Sequence, residues 1–182
     1  MSPADIVATT QRWLEVAVIG LNLCPFAKAV HVKRQIRYVV TEACSADELL
    51  SALRDELALL AGSDPQEVET TLLIHPQAMS DFLEYAAFLR DADRALRQGG
   101  YEGVLQIASF HPAYVFADSA PDDVENCSNR SPFPMLHLLR EDSVEQAVAA
   151  FPDAADIYER NIQTLKRLGH EGWKRLWTDT VE

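Results

Sequence analysis

The chain has 182 residues, of which 48% are apolar, and 16 Lys and Arg stand against 28 Asp and Glu for a net charge of −12. Such a length suits one domain, taken as residues 1–182, and 7 Gly, 9 Pro and 24% charged residues exclude collagen-like, low-complexity and disordered chains. An acidic surface repels phosphate backbones and anionic lipids, so nucleic acid and membrane are excluded as general partners, whereas a small anionic ligand is not.

Ser2 as cap, Pro3 in the first turn, and Ile6, Thr10, Trp13, Leu14, Ala17 and Leu21 at helical spacing predict an N-terminal helix that stops near Gly20. Leu21–Ala29 reads as an apolar loop and His31–Thr41, rich in β-branched residues, as a strand. Ser45-Ala46-Asp47-Glu48 has the capping-box pattern and opens a helix carrying Leu49, Leu50, Leu53, Leu57 and Leu60 as far as Gly62. Thr70–His75 is a buried strand. Ser80 caps a third helix with Phe82, Tyr85, Ala86, Leu89 and Leu96 as its stripe, closed by Gly99-Gly100.

Gly103–Phe110 and Met135–Leu139 are the last strands, followed by helices over Ser143–Phe151 and Asp153–Leu168 and a short tail around Trp173 and Trp177. The order α-β-α-β-α-β-β-α-α predicts a single compact α/β domain. Its expected architecture is a mixed sheet of roughly four strands covered by helices, ferredoxin-like or a related sandwich.

The longest uncharged stretches, Val16–Ala27 and Gly103–Ala117, fall short of the ~20 apolar residues of a membrane span. Met1–Asp5 lacks the basic start of a secretory signal, and three widely spaced cysteines form no disulfide framework. The expectation is a cytoplasmic protein with free thiols.

Three segments carry candidate chemistry. In Ile107–Pro112, Ser109 and His111 lie where a buried strand leaves the sheet, the usual place for ligands in open α/β sheets. A lone histidine there equally serves as a buried ring bonded to backbone. The second is the loop Asn126-Cys127-Ser128-Asn129-Arg130-Ser131-Pro132-Phe133-Pro134. There Arg130 offers a planar fork for carboxylate or phosphate, and Asn126, Asn129 and Ser131 offer directional partners. The same residues are also what a self-satisfied structural loop would use. His137 and Arg140 follow in the last strand, where alternation puts Met135, His137 and Leu139 on one face and Leu136, Leu138 and Arg140 on the other.

The third segment is Gly20–Phe26, with Asn22 and Cys24. No acidic residue occurs between Glu15 and Glu42, while Lys28, Lys33, Arg34 and Arg37 all fall there. Nearby cations stabilise thiolate and would make Cys24 a nucleophile or redox centre; the alternative is a thiol packed as a small hydrophobe. A zinc site from Cys24, His75, His111 and His137 has the right ligand types but no paired local spacing. P-loop, dinucleotide and nucleophile-elbow motifs are all missing, so no cofactor is expected.

At GLNLCPFA (Gly20–Ala27), LQIASFHPAYVFA (Leu105–Ala117), NCSNRSPFPMLHLLRE (Asn126–Glu141), Arg160-Asn161-Ile162 and Gly169–Trp173, the chain resembles a bacterial domain-of-unknown-function family, the one numbered 1415. The resemblance covers nearly the whole chain but implies no activity. It implies a small residue near position 127 in relatives, which counts against a role for the Cys127 thiol.

The leading expectation is a small enzyme with Cys24 as nucleophile or redox thiol and His111 or His137 as base. Asn22, Ser109, Asn126, Asn129, Arg130, Ser131 and Arg140 would bind an anionic or amide-containing small molecule for acyl or amide transfer, or for thiol redox chemistry. A non-catalytic small-anion binder and a metal-dependent enzyme are the rivals.

Overall fold

The computed structural model describes residues 1–150 and 156–178. Helix α1 (Pro3–Trp13) starts as its sequence dictates: the Ser2 hydroxyl accepts from the Asp5 amide while the Asp5 carboxylate accepts from the Ser2 amide. It runs without a break into a π-helical segment, Leu14–Ile19, in which the Gly20 amide reaches back five residues to the Glu15 carbonyl at 2.9 Å. Gly20 is needed there, because a Cβ would lie 2.4 Å from the Val16 carbonyl oxygen. A short helix α2 (Ala27–Val32) follows, and strand β1 is Ile36–Val40. The first residues of the expected strand, His31 and Val32, therefore finish a helix instead. Ala27-Lys28-Ala29 propagates helix strongly enough to carry the β-branched residues after it.

Helix α3 (Ala46–Gly62) is capped by Ser45, whose hydroxyl accepts from the Glu48 amide; the Glu48 carboxylate takes the Cys44 amide. Strand β2 is Thr70–Ile74. Helix α4 (Phe82–Gln98) is capped by Asp81 rather than Ser80, with one carboxylate oxygen accepting from both Leu83 and Glu84 amides. Then come β3 (Leu105–Phe110), a 3-10 turn (Val124–Asn129), β4 (Met135–Arg140), α5 (Glu141–Ala149) and α6 (Ile157–Thr178). Helix α6 is broken at Gly169, whose φ of 68° and ψ of 173° take the backbone out of helix where glycine tolerates it. The expected helix start at Asp153 lies outside the described residues.

The strands form one mixed sheet in the order β1-β2-β4-β3. β1 and β2 are parallel, and β4 is antiparallel to both β2 and β3, so β1, β2 and β3 run in one direction. Helices α3 and α4 are the two crossovers, and β4 fills the gap left between β2 and β3. The result is the expected mixed sheet of four strands covered by helices; its order, β-α-β-α-β-β, is not the β-α-β-β-α-β of the ferredoxin-like sandwich.

Each face of the sheet is covered. On one, Leu73, Leu105, Leu136 and Leu138 pack against Leu49, Leu53 and Leu57 of α3 and Tyr85, Phe88 and Ala92 of α4. On the other, Leu72, Ile74 and Met135 pack against Ile6, Trp13, Leu14, Ala17 and Val18. A small third cluster joins Leu165 of α6 to Leu23 and Cys127. The alternation expected for β4 is observed.

Tyr85, fully buried, closes the end of the β3–β4 ladder. Its hydroxyl accepts from the Phe110 amide at 3.0 Å and donates to the Met135 carbonyl at 2.9 Å, two residues that face each other in the register. Tyr85→Phe strands both backbone groups in the core. It should cost about 2–3 kcal/mol, read as a lower urea midpoint with an unchanged m-value.

Candidate functional site

The π-helical segment turns the chain so that Leu23 is buried under α6, and Asn22 takes the left-handed conformation (φ 54°) that Asn tolerates better than most residues. The loop is then tied down: the Asn161 side-chain amide donates to the Leu23 carbonyl at 2.8 Å, and the Leu23 amide donates to the Val18 carbonyl at 2.9 Å. Between this loop, the end of β3, the 3-10 turn and the start of α6 lies a cavity of about 320 Å3. Its apolar walls are Val18, Leu23, Phe110, Phe116, Ile157 and Ile162; its polar groups belong to Cys24, Glu125, Ser128, Asn129, Tyr158 and Asn161.

Residues of all three expected segments thus line one cavity, Cys24 from the first loop, Phe110 from the end of β3 and Ser128 and Asn129 from the 3-10 turn. Cys24 itself is half-buried, and burial pushes its thiol pKa up. The backbone N–H groups of Phe26 and Ala27 act in the opposite sense but do not win. The basic island does not contribute. Arg37 makes a two-pronged pair with the buried carboxylate of Glu56 (2.8 and 3.0 Å) on the α3 side, and His31 meets Glu15 at 3.3 Å. Lys28, Lys33 and Arg34 are exposed.

The loop after β3 is held by its own polar residues. The Asn126 carbonyl oxygen, Oδ1, accepts from the Phe116 amide and the Ser119 hydroxyl, and its Nδ2 donates to the Ala120 carbonyl; Asn126 is fully buried. Asn129 Nδ2 donates to the Ser109 carbonyl at 3.1 Å, and its Oδ1 accepts from Ser128. Arg130 donates to the carbonyls of Tyr114 (3.2 Å) and Pro121 (2.7 Å), and Ser131 donates to the Phe133 carbonyl. Arg140 turns away from this region altogether. One guanidinium nitrogen donates to the carbonyls of Leu60, Ser63 and Val68, at 2.8–3.0 Å, where α3 ends. Ser109 shares a 3.2 Å hydrogen bond with the Tyr114 hydroxyl.

The histidines are separated by the sheet. His111 lies on the α4 face, with ring centroids 5.4 Å from Phe82 and 5.1 Å from Tyr85. Its Nδ1 accepts from the Ala113 amide, so Nε2 carries the proton and donates to the Met79 carbonyl at 3.1 Å. His75, wholly buried on the same face, donates from Nδ1 to the Ala78 carbonyl, and its Nε2 has no partner among the described residues.

His137 occupies the opposite face, 6.1 Å from the Phe110 ring. Thr70 donates its hydroxyl proton to the Leu138 carbonyl, so the 2.7 Å contact has His137 Nε2 donating to Thr70. Although β3 and β4 are neighbours, the His111 and His137 rings therefore do not approach each other. Cys24 and His137 share one face and His75 and His111 the other. Among the described residues no group of three His, Cys, Asp or Glu is placed to hold a metal.

Glu125 and Asn161 belong to the cavity although the side-chain chemistry of the chain did not single them out. Glu125 lies in an acidic run that reads as a solvated loop, and Asn161 becomes recognisable only once α6 is docked. A protein-family model, "Protein of unknown function (DUF1415)", matches residues 5–175. The chain belongs to this family. No curated protein and no solved structure matches it. Of the described residues, no helix of this DUF1415 chain is long and apolar enough to cross a membrane.

Burial lowers both His75 and His137 from 6.5 to about 4. An unfolded histidine binds its proton near pH 6.5, so this stabilisation is complete above that pH and lost as pH falls towards 4. Urea unfolding should show a loss on the order of 1–2 kcal/mol per ring by pH 5; a flat profile from pH 7 to 5 would contradict it. The Cys24 thiol should react more slowly than exposed Cys44 at pH 7, its rate climbing only above the ordinary cysteine range, as followed by mass spectrometry of thiol labelling.

Proposed function

We propose that this DUF1415 protein binds a small, largely apolar molecule in the cavity beside Cys24 and acts in the cytoplasm. The observation that carries the reading is the cavity itself. It has six aliphatic or aromatic walls and a few polar groups at the carboxyl end of β3, and strand ends are where α/β proteins commonly seat ligands. Its volume, about 320 Å3, suits a small occupant. Three free cysteines support a reducing compartment. The anion expected at Arg130 or Arg140 is less favoured, because nitrogens of both guanidinium groups donate to backbone carbonyls and neither arginine lines this cavity.

A second reading makes Cys24 the nucleophile in acyl or amide transfer, or in thiol redox chemistry on the bound molecule. It is favoured by the Phe26 and Ala27 amide hydrogens near the sulfur, which stabilise a thiolate. Against it, no histidine lines the cavity among the described residues, and burial holds the thiol protonated.

In a Cys44→Ser background, 1-hexanol at low millimolar concentration should slow methyl methanethiosulfonate labelling of Cys24 several-fold. Ile162→Trp, which fills the cavity, should slow labelling by itself and remove the effect of the alcohol. If 1-hexanol leaves labelling unchanged in the parent protein, the binding reading falls. A Cys24 thiol that titrates below the ~8.5 of an ordinary cysteine would move the choice to the catalytic reading.

A further inference from the structure

A strand at the edge of a sheet offers a row of backbone N–H and C=O groups to any chain that can pair with them, and proteins commonly block it. The order β1-β2-β4-β3 leaves two such edges, and they are treated differently. Along β3 both ends are taken by the chain itself. The Leu105 amide donates to the Tyr101 carbonyl at 2.9 Å, and the Ser109 carbonyl accepts from Asn129 Nδ2 at 3.1 Å. A further strand has no clear run there.

The β1 edge has no such cover. The Gln35 carbonyl accepts from the Glu69 amide and the Thr41 amide donates to the Ile74 carbonyl, so Gln35, Arg37, Val39 and Thr41 turn their backbone groups towards β2. Ile36, Tyr38 and Val40 turn theirs outwards, where they find no backbone partner among the described residues. The register with β2 is unbroken by a bulge, and the strand carries neither proline nor lysine, the usual blocking devices.

Charge decides which chain fits this edge. Lys33 and Arg34 precede the strand and Glu42 follows it, all three exposed and without an ion pair among the described residues. An antiparallel copy of the same strand, turned about a two-fold axis at Tyr38, sets Ile36 opposite Val40 and Tyr38 opposite Tyr38. In that register the outward N–H and C=O groups of each copy answer those of the other, with none left over. The basic end of each strand then meets the acidic end of its partner, whereas a parallel copy in register would set like charges side by side. Elsewhere a net charge of −12 opposes self-association, but the stretch from Val16 to Thr41 holds no acidic residue.

We infer that β1 is a dimer interface: two copies of this chain pair antiparallel through Ile36–Val40 about a two-fold axis at Tyr38, joining two four-stranded sheets into one. The blocked β3 edges then lie on the outside, so assembly stops at two copies.

Light scattering after size exclusion should give a mass near twice 20.3 kDa. Amide hydrogen exchange followed by NMR should find Ile36, Tyr38 and Val40 protected in that species. Val40→Pro removes an outward N–H that β2 does not use, and should give a monomer with unchanged far-UV circular dichroism in which Ile36 and Tyr38 lose their protection. Arg34→Glu and Glu42→Lys lie outside the strand; each should raise the dissociation constant about tenfold, and the two together should restore it. A chain that stays monomeric at the concentration of an NMR sample overturns the inference. So does a dimer whose Ile36, Tyr38 and Val40 amides exchange as freely as exposed ones. If the double charge variant associates more weakly than either single one, the antiparallel register is refuted. Species that grow beyond two copies with concentration would refute the closed dimer. If Val40→Pro loses its circular dichroism, the charge variants and the exchange rates decide in its place.

Discussion

Every strand here buries two faces, and the side chains of a strand alternate between them. Once β4 is seated between β2 and β3, that alternation decides which groups can ever meet. Leu136 and Leu138 must face α3 and α4, so Met135 and His137 must face α1. His111, immediately beyond β3, continues the series of Leu105, Ile107 and Ser109 and falls on the α4 side, against Tyr85. The sheet is thus a partition through the middle of the candidate chemistry. A single centre using Cys24 and His111 would need them on one face.

The cavity depends on a second constraint, the docking of α6. Leu165 is fully buried between Leu23 and Cys127, and Asn161, one turn before it, bonds the Leu23 carbonyl. With the helix fixed at those points, Ile157 and Ile162 flank the gap above Phe110 that remains unfilled. The opposite wall is held by backbone accounting. The chain between β3 and β4 is irregular and partly buried, so its amides and carbonyls need partners that no ladder provides. Asn126, Asn129, Arg130 and Ser131 supply them, and Trp13 donates its indole N–H to the Arg130 carbonyl at 3.0 Å. Residue types that look like ligand-binding equipment are here the means by which a wall is built.

The order of elements was legible because its signals are local: the Ser2 and Ser45 caps, the Leu49–Leu60 stripe, the alternation in β4 and the stop at Gly20. The π-helical segment and α2 were not, since one extra residue per turn leaves no clear mark on apolar spacing and Val30 and Val32 favour strand by type. Of the residues singled out in the sequence, Cys24 and Asn129 line the cavity. The sequence had no means of showing that Arg130 and Arg140 would bond backbone carbonyls, Arg140 those of Leu60, Ser63 and Val68 through one nitrogen. Nor was the fate of the basic island readable, because Arg37 finds Glu56 only through the packing of α3 on β1. Hydrogen-bond capacity is a property of residue type; whether it is free for a ligand is a property of the fold.

That distinction also governs the thiol. A cysteine beside several cations in sequence looks activated, yet the field at its sulfur comes from what packs on it, and here this is mostly Val18, Leu23 and other apolar groups. Desolvation outweighs the two amide hydrogens of Phe26 and Ala27, so the resting thiol is neutral. Removing water from the cavity by filling it with hydrocarbon would deepen that penalty.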